Sequence, residues 1–386
     1  MKKVYHNPFE EHPVTSCYHY IAFPCSVIQA NAGDQTEKWL CSKYINCYFK
    51  PSSREHKFII SIMDGWSASD AINIYQQINF SKEMFGTLKL NPIRIIKKAL
   101  LYGCYPTGSC SRQILFPTPE NTDEPLYDHV ISGFDDINKR LFMHGFSKGV
   151  YQHFDVPYET YVRSLIENQK RNITFHLWKY NPNADYTLNF SKIAADLNDY
   201  ITSRNSKPQY QGPRSFGLQA CSDFGMFVNQ EFRQVDSLCV KSFHEHKHCM
   251  LIRMQYLFKE GVVKQAAVAA AESVSQLSEQ VKKFYESGRG DQMSKLIMKT
   301  VAIEKIICRG YWQIFRRFNS IDRICDVKSM IVWRGIFWSR SKNFRLLNRF
   351  RLPPIKPEDL KREFYWETLK TQKSCYFKPV LTFSFA

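Results

Sequence analysis

Long apolar runs are missing from this sequence: no stretch of about 18 residues is hydrophobic enough to cross a bilayer, which excludes a membrane span. The opening MKKVYHNPFEEHP also lacks the apolar segment of a secretory signal. A cytoplasmic protein with reduced thiols is therefore expected, since its twelve cysteines follow no disulfide framework. They form no zinc knuckle either, because Cys41 and Cys47, like Cys104 and Cys110, stand too far apart for CxxC. HEHKHC, residues 244–249, sets His244 and His248 one helical turn apart but turns His246 away, and it misses the HExxH pattern. Neither a metal nor a cofactor is expected. The glycines of SGRG belong to no GxxxxGK[ST] phosphate loop, and no internal repeat is present. Acidic residues are the minority, 36 against 53 basic, and the net charge of +17 favours anionic partners without naming one.

What is present is the material of a folded chain. The 386 residues are 44% hydrophobic, with 29 Phe and 21 Tyr, enough for two domains with a substantial core. Residues 1–185 read as a mixed helix and sheet region. KFIISIM and NITFHLWKYN are β-branched and aromatic runs of strand type, and DDINK is a polar turn between strands near 126–134 and 140–146. PYETYVRSLIEN carries apolar residues at helical spacing. Residues 186–386 read as a helical domain, with amphipathic TLNFSKIAADLNDYITSRNS, a long segment over 236–259, and Ala-rich VVKQAAVAAAESVSQLSEQVKKFYES. Its end, from FRRFNSIDRIC onward, alternates Arg and Lys with Trp and Phe. That pattern suits a helix with a solvated basic side, or an anionic surface; nucleic acid is not the expected partner, because no recognised binding motif accompanies it. The fold class expected is α+β: a mixed first domain with an antiparallel sheet, then a mainly helical one.

The pairing that carries chemistry is Cys17 with His129. In HPVTSCYHYIAFPC the Thr15–Ser16 pair reads as the capped start of a helix, where the helix dipole would favour a thiolate. Pro24 requires that helix to be short or kinked. His129 opens HVISGFDD on an expected strand and is the imidazole that a cysteine nucleophile needs; a packed core histidine is the alternative.

SCYHY, then ALLYGCYPTGSCSRQILFPTP, DHVISGFDDINKRLFMHGFSKGVYQHFDVPYETY and EHKHCMLIRMQYL together resemble the family of butirosin biosynthesis protein H, over about residues 12 to 260. The resemblance implies a papain-like first domain followed by a helical one, acting as a cysteine-dependent acyltransferase of peptide or antibiotic biosynthesis. Its donor would be a thioester on an acyl carrier protein or a peptide-synthetase carrier domain, and its acceptor a small-molecule or peptide amine. By the same likeness Cys17 matches the nucleophile and His129 its base. The family's Asp in the following strand falls at Gly145 in FMHGF, so the orienting role passes to Asp135 or Asp136, both of which also read as turn residues. Glu245, His246 and Lys247 match a later family motif, and Arg253 lies two turns beyond Glu245. They read as a cluster docking the helical domain on the core, or, for Glu245, as recognition of the substrate amine. The alternatives to an acyltransferase are a non-catalytic scaffold or binding protein of the same fold, and a cysteine peptidase or amidase.

Overall fold

The computed structural model describes residues 3–33, 35–50, 57–60, 74–81, 85, 87–117, 126–147, 150–166, 174–206 and 214–322. The chain divides into a unit Met1–Asn319 and a unit Ser320–Ala386, and the basic aromatic tail beyond 322 lies outside the described residues. The chain opens with β1 (Val4–His6), α1 (His19–Ala32), α2 (Gln35–Cys41), β2 (Cys47–Lys50) and β3 (Lys57–Ile60). Next come β4 (Tyr75–Ser81), α3 (Pro92–Leu101), β5 (Cys104–Ser111), α4 (Arg112–Leu115), β6 (Leu126–Asp135), β7 (Arg140–Ser147), β8 (Val150–Pro157), α5 (Tyr158–Ile166) and β9 (Thr174–Tyr180). The rest is helical apart from one short strand: α6 (Phe190–Thr202), β10 (Ser215–Phe216), α7 (Gly217–Glu231), α8 (Ser237–Lys259), α9 (Gln265–Glu286) and α10 (Gly290–Asp322). The fold is α+β, an antiparallel sheet followed by a mainly helical region. Among the described residues no helix is long and apolar enough to cross a membrane.

The large sheet runs β4-β9-β5-β6-β7-β8, with β1 paired to the far end of β6. The DDINK turn closes the β6–β7 hairpin because the Asp135 carboxylate accepts from the backbone N–H of Ile137 (2.8 Å) and Asn138 (3.1 Å). Both faces of the sheet are covered, so β6 is buried along nearly its whole length instead of alternating with solvent. On one face Val130, Tyr105 and Trp178 pack with Cys17 and with Ile21, Phe23 and Ile28 of α1. On the other, Tyr127, Ile131 and Cys110 pack with Ile96 of α3 and Tyr161 of α5. Helix α1 continues through Pro24 for 14 residues. A proline removes one backbone bond, and here residues Ile21 to Ile28 are all buried, which outweighs that loss.

The third core belongs to the helical region, and the boundary expected at residue 185 does not enclose it. Cys41, Ile45, Cys47 and Phe49 share it with Tyr200 of α6, Cys221 and Phe224 of α7, and Phe243 and Met250 of α8. The cause is strand pairing: β10 joins β2 through Ser215–Phe49 and Phe216–Tyr48, which draws the early segment into the later helices.

Gly217 makes this joint possible. Its φ is +56°, and a Cβ there would lie 2.0 Å from the Tyr200 carbonyl oxygen. Gly261 has a similar φ of +71° but open space around it. Gly217→Ala is therefore expected to lower the unfolding free energy by about 2 kcal/mol or more beyond the loss from Gly261→Ala. Urea denaturation of both variants measures the difference; equal losses would mean that α6 and α7 are not in backbone contact.

Candidate active site

Cys17 stands outside the helix it was expected to open. The N-cap of α1 is Tyr18, with no side-chain cap, and the Thr15–Ser16 pair is instead gathered by a residue from α8. Glu245 Oε2 accepts from the Thr15 hydroxyl, the Ser16 N–H and the Cys17 N–H, each at 2.8 Å. Lys241, one turn earlier on α8, donates to the Ser16 carbonyl at 3.1 Å. The thiol that follows is fully buried. Burial first, and then the charge and hydrogen bonding of Glu245, push it well above the ordinary thiol range. Ser242 and Cys249 are the other groups that act on it, and none of these neighbours is an imidazole. Such a site stabilises a thiol, where a nucleophile needs a thiolate.

His129 is on the other side of the sheet. Successive residues of a strand face opposite ways, and Val130 is the one that joins the Cys17 cluster. The His129 ring lies among β5 and α5: Nε2 shares a hydrogen bond with the Tyr161 hydroxyl at 3.0 Å, and Nδ1 approaches the Tyr127 carbonyl at 3.4 Å and Cys110 Sγ at 3.5 Å. A carbonyl only accepts, so the proton sits on Nδ1 and Nε2 accepts from Tyr161. Burial lowers this histidine to about 4 and keeps it neutral. The structure therefore does not join Cys17 and His129 in a dyad.

The expected orienting acids are elsewhere too. Asp135 is an exposed turn residue holding Ile137 and Asn138, and Asp136 binds Lys97 and the Tyr158 hydroxyl (3.0 Å). Neither orients His129. Gly145 does pair with His129 across β6–β7, but a Cβ there would meet the Tyr127 ring at 2.4–2.8 Å, so that slot excludes an Asp. Asp128, which faces α1, accepts from Ser109 at 2.5 Å and lies 3.5 Å from His19 Nδ1.

The three residues expected to bind substrate are tied into the protein. Glu245 holds the 15–17 loop, as described. The His246 Nε2–H donates to the Ile45 carbonyl at 3.0 Å. Arg253 is fully buried and caps the end of α2, donating to the carbonyls of Cys41 (2.8 Å), Leu40 (3.2 Å) and Lys43. His246 and Arg253 are fully buried and not presented to a substrate, whereas Glu245 also lines a cleft.

The sequence places Lys247 in the docking cluster, but without its partners. Its ammonium is fully buried and donates to Glu304 Oε2 at 2.7 Å, the Tyr200 hydroxyl at 2.9 Å and Cys221 Sγ at 3.2 Å. A signal was available: Lys247 falls in the stripe Val240, Phe243, Met250, Met254 and Leu257, all buried at helical spacing. A charge inside an apolar stripe has to meet a counter-charge.

One cleft opens beside Glu245. It has about 320 Å³ of space between the first turns of α8 and the last of α9, lined by Leu238, Lys241, His244, Lys282, Tyr285 and Glu286 among others. Two lysines, two carboxylates (Glu245 and Glu286) and an aromatic wall suit a small ligand with charged and apolar parts.

No family model matches the chain, and no curated protein is found similar to it.

Buried neutral histidines make stability depend on pH. His129 in the folded chain stays unprotonated down to about 4, while the unfolded chain takes up the proton near 6.5. Its contribution is thus complete above 6.5, falls as the pH drops, and is gone near 4. His129→Gln is expected to reduce the slope of unfolding free energy across that window by about 1.4 kcal/mol per pH unit. Urea titrations at several pH values measure it, and an unchanged slope would mean that His129 titrates as if exposed.

Proposed function

We propose that the chain is a non-catalytic binding or scaffold protein, built on an α+β architecture of papain-like kind, that engages its partner without forming an acyl-enzyme. The observation that supports this is the Cys17 thiol: buried, beside a carboxylate, and out of reach of His129, which the sheet backbone separates from it. A cysteine acyltransferase and a cysteine peptidase both need an accessible thiolate with an imidazole partner, so the same observation weighs against each. One feature keeps the acyltransferase alternative open to test: Cys17 directly precedes α1, and α1 packs on an antiparallel sheet, the arrangement that the butirosin-H resemblance implies.

The setting proposed is cytoplasmic, beside carrier-protein-dependent assembly of a peptide or antibiotic. The acidic surface of a carrier domain is a natural counterpart to a net charge of +17. The cleft between α8 and α9 is the place for a small ligand, with Lys241 and Lys282 toward its anionic group and Leu238 and Tyr285 against its apolar part.

An alanyl-loaded peptidyl carrier domain is the test partner. Immobilised protein is expected to retain the carrier at low salt and release it as salt rises, since exposed charges are screened within about 8 Å at physiological ionic strength. Intact-protein mass spectrometry of the same mixture is expected to find no alanyl adduct. An adduct on Cys17 that Cys17→Ala abolishes would overturn the non-catalytic reading and restore the acyltransferase one.

A further inference from the structure

The cluster around Lys247 contains two thiols that neither the fold nor the proposed function requires. Cys47 on β2 and Cys221 on α7 are both free and fully buried, and their sulfurs are 3.8 Å apart. The joint around Gly217 brings them together, and Cys47 also points its thiol at the Gly217 carbonyl, at 3.6 Å. We propose that Cys47 and Cys221 are a redox-active pair, oxidised by a peroxide to a disulfide that ties β2 to α7.

The two sulfurs are not equivalent. Lys247 donates directly to Cys221, at 3.2 Å, and Cys47 shares its hydrogen with the same sulfur. Burial alone would raise the Cys221 thiol, but the Cys47 hydrogen bond and the Lys247 charge outweigh it and lower it below the ordinary thiol range. Cys47 goes the other way, raised by burial and by its neighbour Cys221. Cys221 is thus the attacking sulfur and Cys47 the resolving one. Glu304, whose Oε2 receives Lys247, has its other oxygen Oε1 buried without a hydrogen-bond partner, an acceptor for the O–H of a peroxide that enters the cluster. Hydrogen peroxide is small and uncharged, and local opening of the fold admits it.

The chemistry balances in two steps. The Cys221 thiolate attacks one peroxide oxygen, the O–O bond breaks, and the departing hydroxide takes up the proton that the thiol had released, giving water and a sulfenic acid. Cys47 then attacks the sulfenic sulfur, the S–O bond breaks, and hydroxide leaves as a second water with the Cys47 proton. Two thiols and one peroxide become one disulfide and two waters. Each sulfur has given up one electron to the peroxide oxygens. The sulfurs have to close from 3.8 Å to a bond of about 2.05 Å.

The test exposes the folded full-length protein to hydrogen peroxide at pH 7, removes the oxidant with catalase, then unfolds and alkylates the chain before digestion without reductant. The expected product is a single cross-linked peptide joining Cys47 and Cys221, lighter by two hydrogens than the two thiol peptides and released by dithiothreitol. Lys247→Met is expected to slow its formation roughly tenfold or more, because it raises the attacking thiol. Where that variant fails to fold, Cys47→Ser decides: without a resolving sulfur, Cys221 should stop at the sulfenic acid and be trapped by dimedone. Full alkylation of both cysteines after peroxide treatment would overturn the proposal. So would over-oxidation of Cys221 in the wild-type chain with no link to Cys47.

Discussion

Helix α8 carries charged and titratable side chains into the protein interior, and much of the packing follows from where their partners have to be. A buried ion without partners costs several kcal/mol, so each of these groups fixes a neighbour instead of tolerating a range of them. Glu245 fixes the loop ahead of α1 through Thr15, Ser16 and Cys17. Arg253 fixes the end of α2, where three carbonyls converge on one guanidinium at the negative end of the helix dipole. Lys247 reaches across to α6, α7 and α10 through Tyr200, Cys221 and Glu304. One helix thereby sets the positions of elements from both ends of the described chain. Breaking such a buried pair by removing one partner typically costs about 3–5 kcal/mol, more than most apolar truncations at the surface.

The same constraint decides the fate of Cys17. A carboxylate is well suited to gathering two backbone N–H groups and a hydroxyl, because it has acceptor sites on both oxygens and no donor of its own. It is badly suited to sit beside a nucleophilic thiol, whose ionised form it repels. Structural and catalytic demands conflict at Glu245, and the three short hydrogen bonds record which demand the sequence satisfies. The imidazole meets an equivalent fate on the far face of the sheet. With Tyr161 on one nitrogen and the Tyr127 carbonyl and Cys110 thiol on the other, His129 is held on the face away from Cys17.

Local patterns were legible in the sequence. The β6–β7 hairpin followed from DDINK, α5 and α6 from apolar spacing, and α9 from its Ala-rich composition, while α8 reads as a long segment over 236–259. What depends on tertiary pairing was not. Which face of the sheet His129 points to is a matter of register, and shifting a strand by one residue reverses it. The β6–β7 ladder slips between Ile131 and Gly133, after His129, so the alternation before the slip keeps Val130 toward α1 and His129 away from it. The boundary near 185 failed for a related reason, since a two-residue strand, β10, carries the early segment around Cys47 into the helical core. Such a short pairing leaves almost no trace in composition. Lys247 is different, because its place in an apolar stripe was readable and only its partners, 26 and 57 residues away in sequence, were not.

Glu245 and Lys247 are two positions apart, so on an α-helix their side chains leave about 200° from each other. One charge faces the α1 layer and the other the helical core, and each ends beside a buried cysteine. The signs make the two thiols opposite in character. Beside the carboxylate, Cys17 is held protonated; beside the ammonium, Cys221 is brought toward the thiolate although burial opposes it. Burial is complete at both, so it cannot be the source of the contrast. The contrast comes from the neighbouring groups, the Cys47 hydrogen bond and Lys247 charge at Cys221 and the Glu245 carboxylate at Cys17, and a thiol's position at the start of a helix is then a poor guide to its reactivity. Lys247 reaches the sulfur on α7, whereas the sulfur that the helix-start motif singled out is buried beside a carboxylate.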